Sequence, residues 1–134
     1  MAVEKGFTIA LTSRFDGWWR YNVELMCGCF DAADQRTGFA TASSHVADAG
    51  ANLAEPPAGT VPDRSVTLTT PPCDHLMLYI YLIPHTLPAM REIDAARPFE
   101  VELRIAYAGR KLRTERLSIN QWSGASLEMR IEKV

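Results

Sequence analysis

The sequence predicts an all-β protein, a single antiparallel β-sandwich domain of seven or eight strands that spans residues 1–134. Two observations lead to this prediction. Short segments in which apolar and polar residues alternate recur along the chain, with turn-forming residues between them. No segment shows the long apolar periodicity of an amphipathic helix. The order of the strands stays open, because jelly-roll, immunoglobulin-like and C2-like connectivities all fit this spacing.

Two strands are predicted near the N-terminus, where every second residue is apolar. The first, FTIALTS, places on one face Phe7, Ile9 and Leu11. The second, WRYNVEL, places on one face Trp19, Tyr21, Val23 and Leu25. The segment RFDG between them is a predicted turn, and TGFATAS offers a possible eighth strand further along the chain.

The other predicted strands lie in the second half of the chain. SVTLTT is a short strand, and Pro71 and Pro72 separate it from the apolar run LMLYIYLIP. FEVELRIAY alternates most regularly, and a turn at Ala108 and Gly109 joins it to KLRTERLSI in a hairpin. The apolar phase changes within that return strand, which predicts a bulge or an early end near Thr114 to Arg116. SLEMRIEK is the last strand.

The segment from Asp31 to Arg64 is rich in Ala, Gly, Ser, Pro and Asp, and it predicts one long loop or a short helix. A helix over SSHVADAGANLAE would have Ser43 or Ser44 as its N-cap. The following AEPPAGTVPDR is a predicted loop, because each proline lacks a backbone donor. The whole segment would serve as a crossover between the sheets, or as a lid or partner-binding loop.

Composition and charge restrict the classes of function. A formal net charge of -2 gives no general attraction to nucleic acid or to an anionic membrane, so we expect neither as a partner. The longest apolar run, Leu76 to Pro84, is too short to span a bilayer. The N-terminus lacks the apolar core of a secretory signal, and the three cysteines cannot all pair within one chain. We therefore expect a cytoplasmic protein with reduced thiols and no cofactor.

Cys73, Asp74 and His75 stand side by side before the apolar run and suggest an active site at first reading. On an extended strand, however, Cys73 and His75 share one face while Asp74 points to the other. The triplet therefore cannot form a catalytic triad by itself, and a nucleophilic Cys73 would need His45 or His85 as its base. We predict that Cys73 is a small buried residue and that the chain has no catalytic residue.

Zinc is the other chemistry that these residues suggest. Cys27, Cys29, Cys73 and His75 supply four possible ligands in two clusters. The Cys-x-Cys spacing is not the one found in common structural zinc sites, and an extended strand holds the two thiols too far apart for one ion. We therefore predict no metal site.

The apolar run is unusual because both of its faces are apolar. One face carries Leu76, Leu78, Ile80 and Leu82, and the other carries Met77, Tyr79, Tyr81 and Ile83. A single sandwich normally leaves one face of each sheet in water, so something should cover the second face. The candidates are the segment from Asp31 to Arg64, another protein or a small ligand.

These observations predict a non-enzymatic interaction module that associates with itself or docks on a protein partner. Aromatic residues and Met are enriched at such interfaces. The predicted binding residues are Met77, Tyr79, Tyr81, Trp18, Trp19 and Trp122. One alternative is a carbohydrate or small-ligand binding module, in which exposed Trp and Tyr rings stack on the ligand. Another is a hydrolase or metal enzyme built around Cys73, His75 and His85.

Overall fold

Two four-stranded antiparallel sheets pack face to face and confirm the predicted all-β sandwich. The structure is a computed structural model that describes residues 6–88 and 97–133. Its strands are β1 (Phe7–Thr12), β2 (Tyr21–Phe30), β3 (Arg36–Ser44), β4 (Val66–Thr69), β5 (His75–Pro84), β6 (Phe99–Tyr107), β7 (Arg110–Ile119) and β8 (Ala125–Glu132). Sheet A has the order β4-β1-β6-β7, and sheet B has the order β3-β2-β5-β8.

The core lies between the sheets and is built from the inward positions of the alternating segments. In sheet A, Ile9 pairs with Leu68 on one side and Ile105 on the other, and all three are buried. The largest fully buried side chains are Trp18, Tyr21, Phe7, Ile9, Leu11, Leu25, Leu68, Leu76, Leu78, Ile80, Leu82 and Leu103. Burial of such side chains stabilises the fold by roughly 1.5–3 kcal/mol each.

The β6–β7 hairpin forms as predicted. Ala108 and Gly109 connect its strands and have positive φ angles of 52° and 83°. The bulge occurs earlier than the predicted Thr114 to Arg116, because Ile105 pairs with Arg113 while Ala106 pairs with Lys111. Leu112 is therefore the extra residue. This insertion changes the phase of the return strand, so that Leu117 and Ile119 face inward again.

The segment from Asp31 to Arg64 differs from the expectation of a loop or a helix. Residues 36–44 form β3, an edge strand of nine residues, which confirms the possible eighth strand at TGFATAS. No helix forms over residues 43–55, where Gly50 and Asn52 have positive φ angles of 81° and 47°. A right-handed helix excludes such angles, and the Asn52 N–H instead donates to the His85 carbonyl at 2.9 Å.

The start of β2 also differs from the predicted alternation. Trp18–Arg20 form a single 3-10 turn, and the strand begins only at Tyr21. Trp18 rather than Trp19 is consequently the buried member of the pair. None of the helical segments in the described part of the chain is long and apolar enough to cross a membrane.

Candidate binding face on sheet B

The solvent-facing sides of the two sheets differ in chemistry. On sheet A the outward positions of β1, β4, β6 and β7 are occupied by small, threonine and charged side chains. Arg104 and Glu102 form an ion pair there, with 2.6 Å between Nε and Oε1. On sheet B large apolar and aromatic side chains occupy the outward positions of β5 and single outward positions of β2 and β3, with polar and charged side chains at the others. Sheet B is therefore the sheet whose outer side resembles an interface.

Strand register brings five of these side chains together on sheet B. Gly28 pairs with Phe39 on one side and Met77 on the other, and Met26 pairs with Tyr79 in the next outward row. Phe39 is 72% exposed and Met26 is 38% exposed, while the β5 side chains are half-buried. We name this surface the apolar stripe, and it consists of Phe39, Met26, Met77, Tyr79 and Tyr81. The predicted residues Met77, Tyr79 and Tyr81 thus share one outward face, while Leu76, Leu78 and Ile80 face the core.

Apart from β3, the segment from Asp31 to Arg64 contacts this face at its two ends. At one end the Asn22 side chain accepts from Val46 N–H at 2.7 Å and donates to the Ala47 carbonyl at 2.6 Å. At the other end Asp34, in the β2–β3 turn, reaches His75. The β3 side of the stripe remains accessible, as the exposure of Phe39 and Met26 shows.

His75 is a buried structural residue at that second end. Its Nε2 lies 2.8 Å from Asp34 Oδ1, and its Nδ1 lies 2.9 Å from Asp74 Oδ2. Its ring stacks on Phe30, with 5.4 Å between centroids. The expectation that Asp74 points away from His75 is wrong, because β5 begins at His75 and the chain before it is free to turn back. With an exposed fraction of 3%, His75 is not open to a substrate.

The cysteines have the environment of structural thiols. Cys27 and Cys29 are buried on the inner face of β2, and Cys73 is half-buried before β5. Burial raises the pKa of Cys73 to about 11 and also raises the pKa values of Cys27 and Cys29. Few thiolates are therefore present near neutral pH, which disfavours nucleophilic attack.

Neither histidine proposed as a base for Cys73 lies near it. His85 follows the far end of β5, ten residues and roughly 33 Å along the strand from the cysteine end. His45 is at that same far end, because Ser44 pairs with Val23 at the start of β2. Within residues 6–88 and 97–133, no three His, Cys, Asp or Glu side chains are grouped to hold a metal ion.

Trp18 is a core residue, so its predicted role in binding is wrong. Its exposed fraction is 0%, and its Nε1–H donates to the Arg64 carbonyl at 3.1 Å. The Arg64 guanidinium lies over the indole, with Cζ 4.8 Å from the ring centroid. The same guanidinium donates to the Trp18 carbonyl at 3.0 Å, to the Tyr21 carbonyl and to Ser44 Oγ at 2.9 Å. A ring enclosed in this way cannot stack on a sugar.

The other two tryptophans are half-buried and lie in turns rather than in the strands that form the apolar stripe. Trp19 follows Trp18 in the 3-10 turn, with Arg20 Cζ 5.7 Å from its ring centroid and the His85 ring 6.1 Å away. Trp122 lies in the turn between β7 and β8, where its N–H donates to Asn120 Oδ1 at 2.8 Å. Their predicted binding role stays a prediction.

His85 is a neutral ring that bonds to Trp19 and Thr86 at the end of the sandwich where β2 begins. Its Nε2 is 2.7 Å from the Trp19 carbonyl, which can only accept, so Nε2 carries the proton. Its Nδ1 then accepts from the Thr86 hydroxyl at 2.7 Å, and that oxygen accepts from Leu53 N–H at 2.9 Å. Burial lowers the pKa of His85 below its usual value, which favours this neutral form.

Two members of the stripe, Phe39 and Met26, were not among the residues predicted from the sequence. Phe39 is the single large side chain in TGFATAS, and that contrast is the signal that points to it. Met26 lies in YNVELMCGCF, where Glu24 on the same outward face suggests an ordinary solvated position. Only the register of β2 against β5 shows that Met26 lies beside Tyr79.

Comparison with known proteins assigns no family to the chain. No protein family model matches the sequence, and no curated protein is significantly similar to it. A solved domain of unknown function, DUF4425 from Bacteroides vulgatus, is similar in structure, with a TM-score of 0.48 and 5% sequence identity. The similarity covers 99% of this chain and 100% of that domain. It assigns no activity to this chain.

Proposed function

We propose that the protein is a non-enzymatic interaction module that associates with a second copy of itself through the outer face of sheet B. The observation that supports this proposal is the apolar stripe. It places Phe39, Met26 and three β5 side chains next to each other on a face where Phe39 and Met26 are exposed. Contiguous exposed apolar patches of this kind mark interaction sites in soluble proteins.

The size of the face is sufficient for a pairwise contact. β2 has ten residues, and four strands lie side by side, so strand spacings of about 3.3 Å per residue and about 4.8 Å between strands give roughly 600 Å². Two copies in contact would bury about 1,200 Å² in total, at the lower end of the range of specific interfaces. Such a contact forms reversibly and depends on protein concentration.

The charged margin of the face also suits a second copy. Glu128 and Arg130 occupy outward positions of β8, opposite Tyr79 and Met77. Because each copy carries both signs at this margin, a two-fold arrangement can place Glu128 of one copy near Arg130 of the other. A small ligand fits less well, since small-molecule sites are concave and this face is an open sheet.

The variant Tyr79→Ser with Tyr81→Ser tests the proposal. It removes two aromatic side chains from the centre of the face, and we expect the light-scattering mass to fall to that of the next smaller assembly. Each lost aromatic contact that is buried in the interface costs roughly 1–3 kcal/mol. The matched control is Thr8→Ser with Ala10→Ser, two outward positions at the same spacing on β1 of sheet A.

The control should keep the wild-type mass, and circular dichroism should show that both variants are folded. A Tyr variant that is folded and keeps the wild-type mass at every concentration would contradict the proposal. A wild-type protein that runs as one copy at high concentration would contradict it as well.

A further inference from the structure

The four edge strands of the sandwich differ in how well they are protected against pairing with another strand. β4 has only four residues and is followed by Pro71. β7 exposes four positive side chains, which are Arg110, Lys111, Arg113 and Arg116. β8 carries charges at every second position, which are Glu128, Arg130 and Glu132. Short length, proline and charge are the usual means by which proteins block edge-to-edge association.

β3 lacks these protections over most of its length. A bulge at Thr37 interrupts its start, because Cys29 pairs with Gly38 while Phe30 pairs with Arg36. From Gly38 to Ser44 the strand is regular, uncharged and free of proline. Within the described residues, this stretch forms backbone hydrogen bonds with β2 alone. Its other edge therefore presents the unpaired N–H and C=O groups of alternate residues along a stretch of about seven residues.

We propose that a second copy of this chain pairs with this edge, so that two β3 strands run antiparallel about a two-fold axis at Thr41. Sheet B of one copy then continues into sheet B of the other as eight strands. This contact uses the edge of the sheet rather than its face, so it goes beyond the proposed face contact and does not depend on it.

The side chains of β3 are complementary to their own copies in this register. With Thr41 at the axis, Ala40 lies opposite Ala42 of the second copy and Gly38 lies opposite its Ser44. These inward side chains are small on both strands, so they meet without a clash. On the outward side Thr41 lies opposite Thr41, a favourable cross-strand pair, and Phe39 lies opposite Ser43. Arg36 falls beyond the paired stretch, so no like charges meet.

The inner side of the edge favours a second copy over an unrelated peptide. β3 and β4 approach each other where the two sheets converge, and small inward residues on β3 permit this approach. An added strand with large inward side chains would have to place them toward β4, which already lies close to β3. β3 itself carries Gly38, Ala40, Ala42 and Ser44 on that side, which is the small set that this position requires.

The paired edge would also place the apolar stripes of the two copies side by side, with the two Thr41 side chains between the Met26 side chains. Phe39, at the margin of one stripe, would lie beside Ser43 of the second copy. In that copy Ser43 pairs with Glu24 on β2, and Glu24 pairs with Tyr81 on β5. The outer face would thus become twice as wide, and the face contact of the previous section would join two such pairs into four copies.

The test is the variant Thr41→Lys, which places two lysines directly opposite each other at the axis. Like charges at this separation should weaken the edge contact about tenfold. The control is Thr67→Lys on β4, another exposed threonine on an edge strand that the proposed contact does not use. At a concentration between the dissociation constants of the wild type and the variant, light scattering should show a lower mass for Thr41→Lys and an unchanged mass for Thr67→Lys.

A charge-reversal experiment and hydrogen exchange together test the edge contact, because Thr41 also lies beside Met26 on the outer face. An equimolar mixture of Thr41→Lys and Thr41→Glu should regain the wild-type mass, because Lys and Glu then face each other at the axis. Hydrogen exchange should show that alternate amides from Gly38 to Ser44 become protected as the wild-type concentration rises, since only a paired strand protects them.

Each result decides between the two contacts. If Thr41→Lys lowers the mass while the Tyr79→Ser and Tyr81→Ser variant leaves it unchanged, the edge contact holds and the face contact fails. If Thr41→Lys keeps the wild-type mass, if Thr67→Lys lowers it equally, or if the mixture is not restored, the edge contact is overturned. Free exchange of the β3 amides at high concentration would overturn it as well.

Discussion

Arg64 should be one of the most important single side chains for stability, although it lies at the end of a loop. Its guanidinium donates to Ser44 Oγ and to the carbonyls of Trp18 and Tyr21, and it covers the Trp18 ring. It thereby ties the loop before β4 to the end of β3 and to the start of β2. Within the described part of the chain it forms no ion pair, so its role rests on these hydrogen bonds and on the ring contact.

The expected magnitude follows from these contacts. Three hydrogen bonds contribute roughly 1 kcal/mol each, and a cation–π contact about 0.5–2 kcal/mol. Removing a partly buried charge returns some of this free energy, because burial already lowers the pKa of Arg64. We therefore expect Arg64→Ala to lower the free energy of unfolding by about 2–4 kcal/mol, and Arg64→Lys by about half as much, since Lys lacks the planar fork.

Urea unfolding followed by circular dichroism measures this free energy. Arg104→Ala is the control, because Arg104 is exposed and its ion pair with Glu102 lies at the surface, where such pairs contribute little to stability. A loss below about 1 kcal/mol for Arg64→Ala, or full stability in Arg64→Lys, would refute the reasoning that this guanidinium fastens the loop to the sandwich.

Two further predictions concern a buried ring and a tight turn. Burial lowers the pKa of His85, so the unfolded chain binds a proton at this ring more readily than the folded chain does. The stability that His85 contributes is therefore complete above about pH 6.5 and is lost as the pH falls toward the lower pKa of the folded state. Between about pH 7.5 and about pH 5.5, the free energy of unfolding measured by urea titration should fall less for His85→Gln than for the wild type. An equal fall in both proteins would show that His85 is not the origin of this pH dependence. Gly124 has a φ of 68°, and a Cβ there would lie 1.9 Å from the Leu82 carbonyl oxygen. In a thermal melt, Gly124→Ala should therefore lower the free energy of unfolding by about 3 kcal/mol or more. Gly50 has a φ of 81° but open space around it, so Gly50→Ala should lower this free energy by only about 1–2 kcal/mol. Similar losses in both variants would show that the turn at Gly124 relaxes.

Part of the candidate site could be predicted from the sequence. Met77, Tyr79 and Tyr81 alternate with Leu76, Leu78 and Ile80 in one run, so side-chain direction on a strand is enough to place them on a common face. Phe39 and Met26 required the pairing of three strands that are distant in the chain. Trp18 was assigned to the wrong environment because a 3-10 turn breaks the alternation just before β2.

The sequence by itself determined the fold class, the hairpin at Ala108 and Gly109, and the inward face of most strands, because these depend on a two-residue period and on local turn geometry. Only the tertiary structure decided the order of the strands, the exposure of Phe39 and the contacts of His75 with Asp34 and Asp74. These features depend on which strands pair and in which register, and such long-range choices are made by the packing of the whole core rather than by any local pattern.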